Sequence, residues 1–414
     1  MRIAYITPGC GLAGGIAVIC QHATRLQRRG HEVFLLSLET PRSMDWFPNQ
    51  TVPVIDINEW KGPLDILVAT GWSTAFHLPR IAATVKCYFV QSDETRFFPD
   101  GSLWKHLASL TYYFGVNYIT EARWLQRWLK ETFGHSAELI PNGLDENIFY
   151  PAPPIHPKGS RPRVLLEGTI SLPYKGMREA FEVIAPLDVE VWCVSSRGAP
   201  KKGWKCDRFF EQVPLMDMRR IYSSCDILLK LSRVEGVFSP PMEMMACGGV
   251  AVVGRVTGYD EYIVDGYNAL VVDLDDSKAA REAVMRLMTD ASLKSKLIAN
   301  GRTTAEKSKW EESIDRLEHY FMKLLSDPDY SIASSKRWEY DASLTVAHRV
   351  LLRNAPLEQD IPDQQNNVHI PSHALTLGQY LVSKPLFWKF SAVVRWCYRF
   401  VQKYFHRSET ISCL

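Results

Sequence analysis

Short apolar runs alternate with helix-like runs in two regions of this chain, and a proline-rich segment separates the two regions. A strand, helix and strand in succession build one step of a parallel sheet, so the alternation predicts α/β lobes that are doubly wound. The separating segment, residues 151–162, holds too many prolines for a helix or a central strand. We therefore predict a first lobe over residues 1–150, a linker over 151–162 and a second lobe over 163–326.

The predicted strands are short and mostly apolar, as expected for strands that are covered on both faces of a parallel sheet. They span residues 2–8, 31–38, 52–57, 65–70, 87–91, 117–120 and 137–141 in the first lobe, and 163–167, 189–195, 208–213, 225–231, 250–254 and 269–272 in the second. The helix-like runs include residues 16–29, 73–84, 103–114, 121–133, 177–185, 216–224, 277–289, 291–307 and 310–326.

Residues 232–253 connect two apolar strands through a loop, a Pro-Pro pair and a short helix that ends at two glycines. Pro241 suits the first turn of that helix, because the N–H group it lacks would have no partner there. Glu235 is then predicted on the loop and Glu243 on the first helical turn. Both carboxylates lie beside unpaired N–H groups at the carboxyl edge of a sheet, where α/β folds bind ligands. A phosphate would meet N–H donors there, and a carboxylate would hold sugar hydroxyls.

Two loops of the predicted first lobe also follow buried strands. Residues 8–15 contain Gly14 and Gly15, which would let backbone N–H groups approach a ligand, although a plain tight turn explains this loop equally well. Residues 91–99 combine two acids, an arginine and aromatic residues, and Asp93 is the candidate among them. A solvated loop is the alternative explanation for this second segment.

Composition limits the classes of function. The net charge of the 414 residues is +2, so the surface as a whole is not that of a polyanion binder, and we predict no nucleic-acid partner. The N-terminus leads directly into a strand without the features of a signal peptide, and no apolar run of about 18 residues predicts a membrane span. The nine cysteines lack the C-x-x-C spacing of metal sites, which favours reduced thiols in a cytosolic protein.

The end of the chain, residues 327–414, is predicted as a C-terminal helical extension. Its segment 384–407 contains no acidic residue. On a helical wheel, Arg395, Arg399 and Lys403 share one face, and apolar side chains share the other. A basic amphipathic helix of this kind predicts peripheral binding to an anionic membrane surface, with a helix docked on one lobe as the alternative.

Several segments together resemble glycosyltransferase family 4, whose members are retaining enzymes with the two-lobed GT-B fold. The pair Glu235 and Glu243, with the helix and glycines that follow, resembles the family's nucleotide-sugar motif. The loop that begins at Gln91 is similar to that of bacterial rhamnosyl-type transferases. Further similar segments occur in the family's order within residues 1–325: residues 140–145, 175–176, 258–268 and 308–310.

The resemblance implies a role for each candidate residue. Glu243 would accept the ribose hydroxyls, and Glu235 would hold the donor sugar and stabilise positive charge at the anomeric carbon. Asp93 would act near the acceptor or the donor sugar. The groups expected around the diphosphate are Lys175 and the backbone N–H groups of Gly236, Val237, Phe238, Gly14 and Gly15. No metal or other cofactor is expected, because lysine and helix dipoles would neutralise the phosphates.

One position departs from the family. Thr169 stands where an arginine is usual, and Arg178, Arg197 and Arg233 are the candidates to replace that charge. The sequence thus predicts a cytoplasmic glycosyltransferase at the inner face of the plasma membrane, which uses a nucleoside-diphosphate sugar. Its acceptor would be a saccharide or a lipid-linked saccharide in cell-surface polysaccharide biosynthesis. A sugar-nucleotide-binding scaffold subunit and another GT-B enzyme, such as a sugar-nucleotide epimerase, remain as alternatives.

Overall fold

The structure is a computed structural model, and it describes residues 1–39 and 43–327. The predicted membrane-binding helix over residues 384–407 lies outside the described residues, as does nearly all of the extension 327–414. Within the described ranges, no helix has the length and apolarity that crossing a membrane requires.

A parallel sheet of seven strands forms the centre of the first lobe within the described residues. The strands are β1 (Arg2–Thr7), β2 (Glu32–Ser37), β3 (Val54–Asp56), β4 (Leu64–Ala69), β5 (Ala83–Val90), β6 (Asn117–Thr120) and β7 (Ala137–Leu139). Their order across the sheet is β3-β2-β1-β4-β5-β6-β7, which reverses direction at β1. The helices of this region are α1 (Gly14–Arg28), α2 (Trp72–Ala75), α3 (Leu103–Thr111) and α4 (Arg123–Trp128), with shorter helical turns at Leu78–Arg80, Glu94–Phe97 and Leu129–Phe133.

The second lobe contains a parallel sheet of six strands in the same part of the chain. The strands are β8 (Arg163–Glu167), β9 (Glu190–Ser195), β10 (Arg208–Glu211), β11 (Ile227–Lys230), β12 (Val250–Gly254) and β13 (Leu270–Val272). Their order is β10-β9-β8-β11-β12-β13, so β8 and β11 are neighbours at the switch point of the sheet. The remaining helices are α5 (Met177–Ile184), α6 (Leu215–Ser224), α7 (Ser239–Ala246), α8 (Ser277–Thr289), α9 (Ala291–Lys307) and α10 (Trp310–Ser326), with short turns at Pro173–Lys175 and Tyr259–Glu261.

Each sheet has an apolar core on both faces, which explains why its strands are so uniformly apolar. The last described helix, α10, packs its apolar stripe into the core of the first lobe, although it follows the second lobe in sequence. Trp310, Leu317 and Phe321 belong to that stripe and are buried. The chain therefore crosses between the lobes twice, and the crossings touch where the N–H group of Leu144 donates to the carbonyl of Ser308 at 2.8 Å.

Every predicted strand is present, with bounds within a few residues of those expected. The helix predicted over residues 73–84 is wrong. Helix α2 ends at Ala75, a single turn surrounds Pro79, and Ala83 already begins β5. Proline removes a backbone donor and clashes with the preceding helical turn, so a helix is not continued through this position.

The start of α7 also differs from the prediction. The helix begins at Ser239, so Pro240 and Pro241 both lie in its first turn and Glu243 lies in the second. Two consecutive prolines are tolerated there because neither missing N–H group had a helical partner. Gly14 and Gly15 likewise belong to the first turn of α1 and not to the loop before it.

Candidate functional site

The two loops that carry the motif residues leave neighbouring strands of the second sheet. Strands β8 and β11 pair in parallel, with Leu229 opposite Leu166, so both end at the same carboxyl edge. The turn with Lys175 follows β8, and the loop with Glu235 follows β11. Because parallel strands point their carboxyl ends the same way, the fold brings together two side chains that are sixty residues apart in sequence.

Lys175 and Glu235 form an ion pair at this edge. The ammonium nitrogen lies 2.9 Å from Oε1 and 3.0 Å from Oε2 of the carboxylate, so both oxygens share the charge. Burial alone would raise the pKa of Glu235. Attraction to Lys175 and Lys230, with hydrogen bonds from Lys175 and Ser232, outweighs burial and holds that pKa below its ordinary value. Glu235 is therefore a carboxylate, ready to face developing positive charge.

Two glycines allow the loops to approach closely. Gly176 has a positive φ of 64°, and a Cβ atom there would lie 2.1 Å from the carbonyl oxygen of Leu231. A Cβ atom on Gly236 would lie 1.7 Å from the carbonyl oxygen of Gln91, in the first lobe. Only glycine fits at these two positions, so the Lys175 turn and the Glu235 loop touch their neighbours backbone to backbone.

Glu243 lies behind this loop, on α7. Its Oε2 atom accepts a hydrogen bond of 2.8 Å from the hydroxyl of Tyr222 on α6. Burial and the charge of Glu167 raise the pKa of Glu243 to about 7, against the lowering effects of Tyr222 and Lys230. A carboxyl group with this pKa changes charge near neutral pH, so any ligand that needs its ionised form binds more tightly as pH rises through that range.

The first lobe contacts the Glu235 loop directly. Glu121, which follows β6, accepts a hydrogen bond from the backbone N–H of Val237 and another of 2.8 Å from Asn142 Nδ2. Burial and the nearby charge of Glu235 raise the pKa of Glu121 to about 8 despite these two bonds. Sequence reasoning missed Glu121. The available signal was an acid placed directly after a buried strand.

Further contacts close the space between the lobes around the same loop. The indole N–H of Trp124 donates to the carbonyl of Gly236 at 2.9 Å. Phe97 stacks on Tyr174 with ring centroids 5.4 Å apart, next to Lys175. Gly236 and Val237 thus lie where the first lobe meets the second, whereas Phe238 is buried in the core of the second lobe.

A cavity of about 270 Å³ lies on the hinge side of the contact between Glu121 and Val237. Residues of both lobes and of the second crossing line it, including Asn142, Tyr262 and Arg316. Glu121 and Val237 themselves belong to its lining, and Lys175 and Glu235 do not.

The remaining candidates of the first lobe lie on the facing side. Asp93 accepts hydrogen bonds from the backbone N–H and the hydroxyl of Thr95, at 3.1 and 2.6 Å, and so caps the turn Glu94–Phe97. Gly15 adjoins the side chain of Gln91, whose own carbonyl meets Gly236. The structure therefore brings Lys175 and Glu235 together, places Gly15 against Gln91, and gives the carboxylate of Asp93 a local partner. Gly14 precedes Gly15 in the first turn of α1.

Two of the three arginines proposed to replace the charge missing at Thr169 are paired with acids, and the third, Arg197, acts on Tyr174, whose pKa its positive charge lowers against the effect of burial. Arg178 pairs with Glu182 on the exposed face of α5. Arg233 pairs with Asp275 at 2.8 Å. The hydroxyl of Thr169 contacts that of Ser196 at 2.7 Å. A cation that the sequence reasoning missed, Lys230, lies at the end of β11, and the only signal was a lysine that ends an apolar strand.

Residues 207–304 match the family described as Glycosyl transferases group 1, and this segment includes Glu235 and Glu243. The chain is 24% identical over 204 residues to an uncharacterized glycosyltransferase of Methanocaldococcus jannaschii, an alignment that covers 47% of this chain and 56% of the relative. It is 24% identical over 267 residues to the O-antigen biosynthesis protein RfbC of Myxococcus xanthus, covering 61% of this chain and 20% of the relative. The chain thus spans about half or less of the length of these relatives.

Solved structures share the two-lobed arrangement. Sucrose-phosphate synthase from Thermosynechococcus elongatus superposes with a TM-score of 0.68 at 15% identity, over 79% of this chain and 99% of that one. HepE from Anabaena, solved in complex with UDP-glucose, superposes with a TM-score of 0.66 at 14% identity, over 78% and 100% of the two chains. The predicted GT-B fold, with two α/β lobes built on parallel sheets, is confirmed.

Proposed function

We propose that this chain is a retaining glycosyltransferase that moves a sugar from a nucleoside diphosphate to a saccharide or a lipid-linked saccharide. The observation that carries the proposal is the ion pair of Lys175 and Glu235, which lies beside a glycine-containing loop at the switch point of the second sheet. Support comes from the segment that holds Glu235 and Glu243, because it matches a glycosyltransferase family.

The chemistry follows from the charges. Breaking a glycosyl–phosphate bond creates positive charge on the sugar ring and negative charge on the departing diphosphate. Glu235 is ionised at neutral pH and supplies negative charge for the ring. Lys175 is the nearest cation to it and supplies positive charge for the diphosphate. On binding, the diphosphate would take over part of the interaction that Lys175 makes with Glu235.

Backbone N–H groups and Glu243 complete the proposed donor site. The N–H groups of Gly236, Val237 and Phe238 would donate to phosphate oxygens, in the manner of backbone groups at a helix start. That of Val237 is held by Glu121, so donor binding would exchange an acceptor in the first lobe for a phosphate oxygen. Glu243 would accept the ribose hydroxyls. Lysine and N–H groups together would neutralise the diphosphate, so the proposal includes no metal ion.

The proposals for the acceptor and for the cellular location of the protein are supported by observations outside the donor site. One relative is named an O-antigen biosynthesis protein, which favours a role in cell-surface polysaccharide assembly, including lipopolysaccharide. The basic segment 384–407 favours a cytoplasmic protein held peripherally at the inner face of the plasma membrane, near a lipid-linked acceptor. The likeness of the Gln91 loop to rhamnosyl-type transferases makes a deoxyhexose a candidate for the transferred sugar.

The test is a transfer assay with a panel of radiolabelled nucleotide sugars and a membrane lipid extract as the acceptor. We expect label to enter the extract from one donor, with the anomeric configuration of the donor kept in the product. Nucleotide-sugar binding without transfer or hydrolysis across the panel would contradict the proposal and favour a scaffold subunit. Conversion of the sugar while it stays on the nucleotide would favour an epimerase.

A further inference from the structure

Lys230 is a buried lysine at the carboxyl end of β11. The residue is only 3% exposed, and its ammonium nitrogen lies 2.5 Å from Oε2 and 2.9 Å from the backbone carbonyl of Glu167. Glu167 is the last residue of β8, the neighbouring strand, so the two side chains are opposite each other at the sheet edge. The ion pair therefore lies where the Lys175 turn and the Glu235 loop leave the sheet.

A buried ammonium group is costly unless its hydrogen bonds are satisfied, and a well-packed apolar residue is often as stable in its place. Fold stability alone thus gives little reason for a lysine here. Its surroundings suggest a different reason, because the positive charge favours the ionised forms of both Glu235 and Glu243. Glu167 acts on Glu243 in the opposite sense.

We infer that Lys230 is a positioning residue of the donor site, whose ammonium group, anchored on Glu167, holds a fixed positive charge at the strand ends from which the Lys175 turn and the Glu235 loop leave the sheet. This inference rests on the proposed function, since it assigns the two carboxylates to a nucleotide-sugar donor. It also locates a second cation at the paired ends of β8 and β11, close in sequence to Thr169, which contributes no charge.

The charges of this pair act on titratable groups from several elements: Cys193 on β9, Tyr222 on α6, Glu235 on the loop after β11 and Glu243 on α7. Lys175 acts on Glu235, and Arg219 and Cys247 lie next in this network, around Glu243. Burial raises the pKa of the Cys247 thiol to about 12 and that of the Tyr222 phenol well above its ordinary value, so neither titrates near neutral pH. Among these groups, Glu243 is the one whose carboxyl pKa is raised, by burial and the charge of Glu167, to about 7.

The test uses calorimetric binding of UDP, GDP, ADP and dTDP to the full chain over about pH 6 to 8, with the tightest of the four used for the variants. Glu243 binds ribose when ionised, so affinity rises with pH through its pKa. Lys230→Met removes a positive charge that favours the ionised form of Glu243. It is expected to raise the midpoint of the curve of nucleotide affinity against pH by about one pH unit. Glu167→Gln removes a repulsive charge and is expected to lower the midpoint.

Two further variants act as controls. Lys230→Arg keeps the charge and is expected to restore the midpoint of the unmodified protein. Lys202→Met removes an exposed lysine of the same lobe and should leave the midpoint in place. If Lys230→Met does not fold, the isosteric Glu167→Gln tests the same charge pair alone.

The outcomes distinguish a positioning role of Lys230 in the donor site from a purely structural role. Opposite displacements of the midpoint in Lys230→Met and Glu167→Gln would support the inference, because a purely structural role moves stability without moving the midpoint in two directions. If the unmodified protein binds a nucleotide and neither variant that folds moves the midpoint, the inference is wrong and the proposed function stands. If the unmodified protein binds none of the four nucleotides, the proposed function fails and the inference fails with it.

Discussion

Glu235→Gln is expected to lower kcat for sugar transfer by about 10²- to 10³-fold, the effect of removing one preorganised charge or donor from an active site. The neutral amide keeps the shape of the side chain and its capacity for hydrogen bonds to sugar hydroxyls. It loses the negative charge that Lys175 and Lys230 maintain, and that charge matters most when the sugar ring becomes positive. Donor affinity should therefore change much less than kcat.

The measurement is the initial rate of transfer at saturating donor, together with the calorimetric affinity of the donor. Glu211→Gln, at an exposed glutamate of the same lobe, is the matched control and should keep the rate of the unmodified protein. An unchanged kcat in Glu235→Gln would remove this residue from the chemistry. A large loss of affinity at constant kcat would reassign it to ground-state binding.

Glu243→Ala is expected to weaken nucleotide binding by about 2–4 kcal/mol, since it removes charge-assisted hydrogen bonds to the ribose and leaves Tyr222 without its partner. The pH dependence should change as well. The pKa of Glu243 is about 7, so the unmodified protein binds nucleotide more weakly as pH falls below that value. The variant lacks this carboxyl group and should lose that part of the pH dependence.

Calorimetry at about pH 6 and 8, compared between the two proteins in the same buffers, isolates this effect from titration of the nucleotide phosphates. Glu211→Gln again serves as the control. Equal affinities of the variant and the unmodified protein at both pH values would place Glu243 outside the site. If the affinities differ but change by the same factor between the two pH values, the pH dependence belongs to another group.

Much of the fold was predictable because strands of a parallel sheet are covered on both faces and read as short apolar runs. The run predicted over residues 225–231 and the run over Val250–Gly254 both became strands of the second sheet. Helix bounds were harder near prolines. Pro79 ends a helix that the pattern predicted, whereas Pro240 and Pro241 begin one earlier than expected.

The candidate site was predictable only in part. Glu235 lies on the predicted loop and the fold brings Lys175 to it, because both follow adjacent strand ends. Glu121 and Lys230 were missed. The contact of Glu121 with Val237 depends on how one lobe faces the other, which spacing along the chain does not encode. The role of Lys230 depends on which strand lies beside β11, and that partner, β8, is 63 residues earlier.

The most direct measurement is a crystal structure of the chain with the nucleoside diphosphate that binds most tightly. We expect the diphosphate beside Lys175 and the N–H groups of Gly236 and Val237, with the ribose hydroxyls on Glu243. We also expect the N–H group of Val237 to have left Glu121 for a phosphate oxygen. A nucleotide found in the cavity beside Asn142 and Arg316, with Lys175 still held by Glu235, would show that the donor site is not the one proposed.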